Sequence, residues 1–359
     1  MTDPKNPLGI IRIDHLEFTT NNAESLQSLF HGLGMKITAT RKSGSMSQWL
    51  MQTSKTNFII SHSKERDYNR QYLDNHQGGV SAIAFLVDDA EKALAEALKR
   101  GAQQRLSLEI SQQKGGVYRR AGIQGFGDVL NIFIEKTDFP DFAPGFSAFQ
   151  DTEALTGDAD PGLIHLDHLT NNVPFGEMAK WVDFYNQIYG FEAVRYFEIK
   201  GEKTALRSKV VRSSNKQVTI PINEPWGPDG NDQITEFITR HKGAGVQHIA
   251  LSCKDIIKTV KSLRKNGFEF LTPPPHSYYE MVPGRVPNVK ENLAELEANS
   301  ILVDGDEHGY LLQIFTKDQI GPSFFEVIER KGHDGFGDGN FQALFDAIER
   351  DQLDRGVLK

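Results

Sequence analysis

The sequence predicts an α+β protein of two tandem domains, each a pair of βαβββ modules that form an open, barrel-like sheet, with an additional helix at the C-terminus. Three observations predict this fold. A strand followed by an amphipathic helix and a glycine occurs four times, and the second and fourth copies align without a gap. A stretch with prolines and many acidic residues, 138–160, separates the first pair of copies from the second and is typical of a linker.

The four copies share one internal order. Their strands are predicted at 11–15, 79–84, 164–168 and 245–250, and their helices at 23–32, 88–100, 177–188 and 254–266. A glycine follows each helix, and glycine readily adopts the left-handed conformation in which helices end. From Ala82 to Gly101 is 19 positions, and from His248 to Gly267 is also 19. Further β-rich stretches complete the modules: Ser47–His62, Val129–Glu135, Gln217–Pro221 and Gly309–Thr316.

The repeat predicts an N-terminal domain, 1–150, without a metal site and a C-terminal catalytic domain, 151–359, with one. His15 of the first half aligns with His168 of the second, but Ala82 aligns with His248. The first half also has no acidic residue in an apolar strand that would correspond to Glu326. It can therefore fold as the second half does without assembling the same ligands.

Composition indicates a globular protein, and we expect it in the cytoplasm. Hydrophobic residues make up 38% of the 359 residues, and the formal net charge of −8 argues against a general binder of nucleic acid or anionic membranes. No apolar run is long enough to cross a bilayer, and the first residues lack an apolar signal core. The single cysteine, Cys253, excludes an intrachain disulfide and lies in an apolar run, which predicts a buried packing residue.

Three residues of the second half are candidate metal ligands. Glu326 lies in the apolar run 324–328, and a buried carboxylate has to be paired, protonated or bound to a metal. His248 interrupts an apolar strand, and His168 lies in the first strand of its repeat. Two histidines and one carboxylate with open coordination positions hold Fe(II) in non-haem oxygenases. Two alternatives remain: a hydrogen-bonded Glu326 without metal, and a structural His168, as His15 is expected to be.

Other side chains suggest what such a site would bind. Neutral amides and hydroxyls beside apolar strand residues suit a phenol, and phenylalanines suit an aromatic ring; the alternative is a phenylalanine-rich core, since the chain has 23. These residues are Ser208, Asn223, Gln247, Gln313, Phe315, Phe324, Phe336 and Phe341. The glycine-rich stretch 335–340 precedes an amphipathic helix that is either a mobile lid or a static cap. The remaining histidines are expected at the surface: His31, His62, His76, His241, His276, His308 and His333. His165 is expected to point to solvent.

At these residues the chain resembles the 4-hydroxyphenylpyruvate dioxygenase family of the vicinal oxygen chelate superfamily. The most specific segments are 166–168 with Asn172-Val, 221–225, 243–250, 311–317, 324–330 and 335–341. The resemblance implies Fe(II) held by His168, His248 and Glu326. It places further residues around the substrate: Ser208, Asn223, Gln233, Gln247, Gln313, Asn340, Phe315, Phe324, Phe336 and Phe341.

The resemblance also implies a reaction. Members of the family convert 4-hydroxyphenylpyruvate and O2 to homogentisate and CO2 by oxidative decarboxylation, ring hydroxylation and side-chain migration, in tyrosine and phenylalanine catabolism. A homo-oligomer, a dimer or a tetramer, is expected. Three alternatives stay open: a 4-hydroxymandelate synthase, which acts at the benzylic carbon; an extradiol ring-cleaving dioxygenase, against which the neutral amides argue; and a metal-free ligand-binding protein on the same fold.

Overall fold

The computed structural model describes residues 3–64, 67–151, 159–201, 203–228, 232–335 and 337–358. Within these ranges the chain forms two sheets. The strands of the first sheet are β1 (Ile10–Thr19), β2 (Lys36–Ser43), β3 (Met46–Thr53), β4 (Thr56–His62), β5 (Gly79–Val87), β6 (Gln104–Gln113), β7 (Gly116–Gln124), β8 (Leu130–Thr137) and β9 (Ser147–Ala148). Their order across the sheet is β6-β7-β8-β5-β1-β4-β3-β2-β9.

The second sheet repeats the arrangement of the first. Its strands are β10 (Leu163–Asn172), β11 (Glu192–Lys200), β12 (Ala205–Arg212), β13 (Thr219–Pro225), β14 (Gly245–Cys253), β15 (Leu302–Gly305), β16 (Tyr310–Phe315) and β17 (Phe324–Lys331). Their order is β11-β12-β13-β10-β14-β17-β16-β15.

Nine helices pack on the two sheets in the part of the chain that the structure describes. They are α1 (Ala23–Gly32), α2 (Tyr68–Asn75), α3 (Ala90–Lys99), α4 (Met178–Phe184), α5 (Gln233–His241), α6 (Ile256–Lys265), α7 (His276–Arg285), α8 (Leu293–Ala298) and α9 (Asp338–Asp354). A π-helical turn, Tyr185–Tyr189, continues α4.

Strand pairing shows that the sequence repeat is a structural repeat. In the first sheet, β1 is antiparallel to β5 and parallel to β4, and β5 is parallel to β8. In the second, β10 is antiparallel to β14 and parallel to β13, and β14 is parallel to β17. The predicted α+β class with two curled sheets and a C-terminal helix is confirmed. The boundary at residue 150 stays a prediction, and residues 152–158 of the predicted linker lie outside the described residues.

The predicted elements are largely correct, with some omissions. The four repeat helices are α1, α3, α4 and α6, with bounds close to those predicted. The β-rich stretch 47–62 is two strands, β3 and β4, joined by a tight turn. Helices α2, α5, α7 and α8 were not predicted. Helix α8 is only six residues long and α7 contains Pro283, but α5 has an apolar face with buried Ile234 and Phe237 that the sequence does show.

One hydrophobic core joins the two halves. It runs from Phe18, Phe30 and Phe58 of the first half to residues of the second such as Tyr189 and Phe325. The rings of Phe30 and Phe325 meet edge to face, with centroids 6.5 Å apart. Because both halves bury side chains in the same core, the site in the second half is supported from the first.

The same capping device positions one helix in each half. Asp89 caps α3 and Asp255 caps α6 by accepting a backbone N–H of the first turn. A strand carboxylate adds a second acceptor, since Glu135 accepts from Ala90 N at 3.1 Å and Glu329 from Ile256 N at 2.9 Å. The helices therefore sit at equivalent places against the two sheets.

The structure bears on the expectations for Cys253 and for membrane-spanning segments. Cys253 is a free, buried cysteine, as expected, and burial raises the pKa of its thiol to about 12. None of the helices in the described ranges combines the length and the apolar composition needed to span a bilayer.

The expectation of surface positions is wrong for three histidines: His31, His76 and His241 are buried. His241 at the end of α5 stacks on His76, with ring centroids 4.2 Å apart, and its Nε2 lies 3.0 Å from the hydroxyl of Tyr72. Its Nδ1 lies 3.2 Å from the Gly243 carbonyl, and Asp128 lies 3.2 Å from the far side of His76. Burial, and after it the neighbouring His76, lower the pKa of His241 to about 4.

This pKa makes stability depend on pH. Because the folded-state pKa of His241 lies below the 6.5 of a free imidazole, the unfolded chain binds a proton between pH 6.5 and 4 that the folded chain does not. The free energy of unfolding should therefore decrease as the pH is lowered from 6.5 to 4, by up to about 3 kcal/mol from His241. Urea unfolding of the wild type and His241→Gln at several pH values measures it. The variant should show a flatter dependence; an equally steep one would contradict the assignment.

Candidate metal centre and substrate cavity

Three adjacent strands bring the candidate ligands together. His168 lies on β10, His248 on β14 and Glu326 on β17, and β14 pairs with both of the other strands. Oε2 of Glu326 lies 3.2 Å from Nε2 of His168 and 3.4 Å from Nε2 of His248. All three side chains are buried, and Glu326 is 1% exposed. In the described part of the chain they form a group of possible ligand atoms that all lie within 4.8 Å of one another.

Hydrogen bonds orient both imidazoles. Nδ1 of His168 lies 2.8 Å from Oδ1 of Asp167, and Nδ1 of His248 lies 3.0 Å from Oε1 of Gln247. Each Nδ1 therefore donates a proton to its acceptor, which directs each Nε2 towards Glu326. Thr170 lies on the same side, with its Oγ1 2.8 Å from Nε2 of His248.

Glu326 is held by a chain of neutral side chains. Gln313 Nε2 donates to Glu326 Oε1 at 2.8 Å, and Gln313 Oε1 accepts from Asn340 Nδ2 at 3.0 Å. Tyr278 donates its hydroxyl proton to Asn340 Oδ1 at 2.6 Å. The chain runs from α7 through the start of α9 to the carboxylate. It fixes one oxygen of Glu326 and leaves the other facing the two imidazoles.

The two imidazoles differ in protonation. Burial disfavours a charged His168, but the carboxylates of Glu326 and Asp167 outweigh burial and raise the pKa of His168 to about 9. Burial, and after it His168, lower the pKa of His248 well below 6.5. One imidazole is therefore cationic beside the carboxylate and the other is neutral.

The donor set fits a divalent metal ion. Two ring nitrogens and one carboxylate oxygen point to a common place, and the remaining polar atoms of the three ligands are held by other residues. A mixed nitrogen and oxygen set of this kind suits transition metals with open coordination positions. A metal bound here would take the place of the His168 proton, so its affinity would depend on pH.

The first half keeps the surroundings of this group but not the group. Asp14 accepts from Nδ1 of His15 at 2.8 Å, as Asp167 does from His168. His15 pairs with Ala84, and Ala84 pairs with Ile132, which occupies the register position of Glu326. At the register position of Glu326 the first half therefore has an apolar side chain, which offers no ligand atom.

A small cavity lies beside His248. It is lined by Thr170, Ile199, Leu206, Ser208, Pro221, Asn223, Gln233, Gln247, His248, Phe341, Leu344 and Phe345. Five of the substrate residues proposed from sequence are therefore together: Ser208, Asn223, Gln233, Gln247 and Phe341. Ser208 pairs with Asn223 across β12 and β13, and Asn223 Nδ2 donates to Asn172 Oδ1 at 3.2 Å. The cavity is therefore lined by both neutral polar and apolar side chains.

The other predicted substrate residues lie elsewhere or cannot be placed. Gln313 contacts Glu326 and Asn340, and neither Gln313 nor Asn340 lines the cavity. Phe324 stacks on His248 with ring centroids 5.1 Å apart, and Phe315 lies edge-on to the same ring at 6.1 Å. Phe336 lies outside the described residues. A substrate role for each of these residues stays a prediction.

Helix α9 closes the cavity. Its residues Phe341, Leu344 and Phe345 form one wall, and Glu349 accepts three hydrogen bonds from residues 203 and 204, which precede β12. The cavity has a volume of about 30 Å³, which holds about two water molecules and no aromatic ring.

The structure adds positioning residues that sequence reasoning missed. Arg330 binds Asp167 through two hydrogen bonds, at 2.8 and 2.7 Å, so it holds the acceptor of His168. Burial favours the protonated acid, but Arg330 and His168 keep the pKa of Asp167 well below the usual 3.8. The repeated Asp-His pair of β1 and β10 was a signal for Asp167. Nothing in the sequence pointed to Tyr278.

Two protein-family models match this chain, one in each half of the fold. The family model described as "Hydroxyphenylpyruvate dioxygenase, HPPD, N-terminal" matches residues 4–142. The model described as "Glyoxalase/Bleomycin resistance protein/Dioxygenase superfamily" matches residues 165–319. A solved structure, a triple mutant of 4-hydroxymandelate synthase from Streptomyces coelicolor, superposes with a TM-score of 0.84 at 25% identity and covers 96% of this chain and 99% of that one.

Curated relatives match over the whole length. The chain is 39% identical to hemolysin VllY from Vibrio vulnificus, with coverage of 100% of this chain and 99% of the relative. It is 38% identical to a 4-hydroxyphenylpyruvate dioxygenase from a Pseudomonas species, with coverage of 99% and 98%. The shared sequence thus includes both halves and the strands that carry the three ligands. The chain belongs to the 4-hydroxyphenylpyruvate dioxygenase family of the glyoxalase and dioxygenase superfamily.

Proposed function

We propose that this protein is a non-haem Fe(II) dioxygenase that converts 4-hydroxyphenylpyruvate and O2 to homogentisate and CO2. The observation that carries the proposal is the convergence of His168, His248 and Glu326 beside a cavity lined by neutral polar groups and by phenylalanines. His168, His248 and Glu326 would hold Fe(II), which when bound would offer open positions to the two oxygens of the substrate's 2-oxo acid and electrons to O2. No separate 2-oxo acid is needed, because the substrate carries its own.

The residues of the chain hold the site for this reaction. Asp167 and Gln247 fix the two imidazoles, and Gln313 fixes one oxygen of Glu326, so that the other oxygen stays available. Ligands held in this way need no rearrangement when the metal and substrate bind. The positions of the two imidazoles and of the carboxylate are thereby fixed before the substrate binds.

The cavity walls would orient the substrate. Ser208, Asn223 and Gln233 offer hydroxyl and amide groups that hydrogen-bond a phenol without ionising it. Phe341 and Phe345 of α9 supply apolar surface against the ring and exclude water once α9 is closed. This set of groups suits a neutral phenol and offers no acid or base for the catechol of an extradiol cleavage.

Product analysis tests the proposal. With Fe(II) and 4-hydroxyphenylpyruvate, the protein should consume one O2 per substrate and release CO2 and homogentisate, which NMR and mass spectrometry identify. The reaction balances, since nine carbons and six oxygens of the substrate and O2 appear in the two products. Phenylpyruvate, which lacks the phenol, should react with a higher KM, because Ser208, Asn223 and Gln233 then have no hydroxyl to bind.

Two outcomes would contradict the proposal. Hydroxymandelate as the main product would make this protein a 4-hydroxymandelate synthase, like the Streptomyces coelicolor protein whose structure superposes on this chain. Substoichiometric iron after anaerobic reconstitution, together with no O2 uptake, would favour a metal-free binding protein.

A cytoplasmic location, a role in tyrosine and phenylalanine catabolism and a homo-oligomeric state belong to the same proposal. The reduced, buried Cys253 supports the cytoplasmic location.

A further inference from the structure

A second, much larger cavity lies where the two halves of the repeat meet. The first strand of each half lines it, with Arg12 and Ile13 on β1 and with residues 165–167 on β10. The hairpin turns between β3 and β4 and between β12 and β13 line it as well, through residues 54–57 and 216–219. Arg212, Arg330 and Asp334 complete its walls, and His165 faces it. The cavity, called the interdomain cleft below, is separate from the cavity beside His248.

The interdomain cleft is basic in an acidic protein. Among the described residues that line it, five carry a cationic side chain and two a carboxylate, whereas the whole chain has a formal net charge of −8. Both carboxylates already have partners: Asp167 binds Arg330 and His168, and Asp334 lies 3.3 Å from Lys216. A cleft with such an excess of positive charge raises the local concentration of anions.

Three of the cations are available to a ligand. Lys55 forms no ion pair with any residue that the structure describes. Arg12 approaches Asp14 only at 3.9 Å, and Asp14 already binds His15 and Lys136. The pair of Lys216 with Asp334 is exposed on both sides, and exposed ion pairs exchange readily with other partners.

Arg330 also lines the cleft, but its guanidinium is already bonded to other residues of the chain. Its guanidinium donates to both oxygens of Asp167 and to the carbonyl oxygens of His333 and Gly335, at distances of 2.6 to 3.1 Å. These four bonds use most of its donors. Arg330 therefore belongs to the support of His168, and the ligand-binding cations are Arg12, Lys55 and Lys216.

The size and the neutral groups of the cleft fit a metabolite. Its volume of about 800 Å³ lies in the range of small-molecule sites, roughly 300–1,000 Å³. Ser54, Asn57, Gln217 and Thr219 add hydroxyl and amide groups that hydrogen-bond phosphate or carboxylate oxygens. Leu166 and Ile13 supply apolar surface for a short carbon skeleton.

We propose that the interdomain cleft is a binding site for a small organic anion with two or more negative charges on phosphate or carboxylate groups. Arg12 and Lys55 come from the first half and Lys216 from the second, so the ligand bridges the two halves of the repeat. The three proposed ligand cations are not among the residues that hold the metal ligands, so the proposal does not depend on the proposed reaction.

Calorimetric titration of the iron-loaded protein, at constant ionic strength set with sodium chloride, tests this. The probe is 3-phosphoglycerate, with inorganic phosphate and succinate as separate arms that tell phosphate recognition from carboxylate recognition. We expect saturable binding with a Kd of about 1 mM or tighter for 3-phosphoglycerate. Arg12→Gln with Lys55→Gln should weaken it at least about tenfold, and Lys55→Gln alone should weaken it less.

A matched pair of variants controls for net charge. Lys258→Gln with Lys265→Gln removes two positive charges from the exposed face of α6, away from the cleft, and should leave the Kd unchanged. Circular dichroism and iron content verify that each variant is folded and loaded. Absence of saturable binding of all three probes up to about 10 mM would overturn the proposal. So would an equal loss of affinity in the α6 variant, which would leave only a general charge effect.

Discussion

Replacing Glu326 by glutamine is expected to abolish O2 uptake with 4-hydroxyphenylpyruvate and to leave the protein folded. Glutamine has the size of glutamate, so the buried position stays filled, but the negative charge that faces His168 and His248 is lost. The loss in kcat/KM should exceed the roughly 10–100-fold that follows when a mere partner of a metal ligand is replaced. Iron retained after gel filtration should fall in parallel.

The internal repeat supplies a matched control for this prediction. His15→Gln changes the residue that corresponds to His168 in a half where Ile132 occupies the position of Glu326. His168→Gln should lose iron and turnover as Glu326→Gln does, whereas His15→Gln should keep both and lose only some stability from its bond to Asp14. Turnover in Glu326→Gln close to that of the wild type, with iron still bound, would refute the ligand assignment.

The ligand group was predictable from sequence because two of its members, His248 and Glu326, conflict with their local surroundings. A carboxylate in an apolar strand and an imidazole that the duplicated half replaces by alanine need a reason beyond folding. In the structure His248 and Glu326 lie on β14 and β17, which are parallel neighbours. Sequence periodicity was sufficient here because the ligands lie on regular strands.

Side-chain partners were less predictable because they depend on contacts between distant segments. Gln313 has apolar neighbours on its own face, which suggested a role towards substrate, yet its amide donates to Glu326. Its other partner, Asn340, is 27 positions further along the chain. Tyr278 reaches Asn340 from α7, a helix with no pronounced apolar stripe. A local sequence pattern does not predict hydrogen bonds between side chains of such distant segments.

The interdomain cleft was unpredictable for a related reason. Arg12 and Lys216 are more than 200 positions apart, and each looks like an ordinary exposed residue in its own strand or turn. Only the packing of one half against the other brings the turns face to face. His165 is exposed, as expected, and it lines this cleft. Sequence repeats predict each half well and leave the surface between them undetermined.

Replacing Gly337 by alanine is expected to reduce kcat/KM by about 10–100-fold, the effect typical of disturbing a partner of a metal ligand. Gly337 has a φ of +77°, and a Cβ added there would lie 2.1 Å from Oε1 of Gln313. The Gln313 side chain would have to move, and its bonds to Glu326 and Asn340 would lengthen or break. Steady-state O2 uptake and iron affinity measure the effect, and the free energy of unfolding should fall by only about 1–2 kcal/mol.

Two further variants separate the contact from backbone strain. Gly356 has nearly the same conformation, with a φ of +73°, but an added Cβ would meet no atom within 4 Å. Gly356→Ala should therefore share the strain of Gly337→Ala and keep the activity of the wild type. If Gly337→Ala acts through Gln313, adding it to Gln313→Ala should lower kcat/KM little further, because the displaced side chain is already absent. Additive losses in the double variant, or equal losses in the two glycine variants, would mean that the segment before α9 acts on the site by another route.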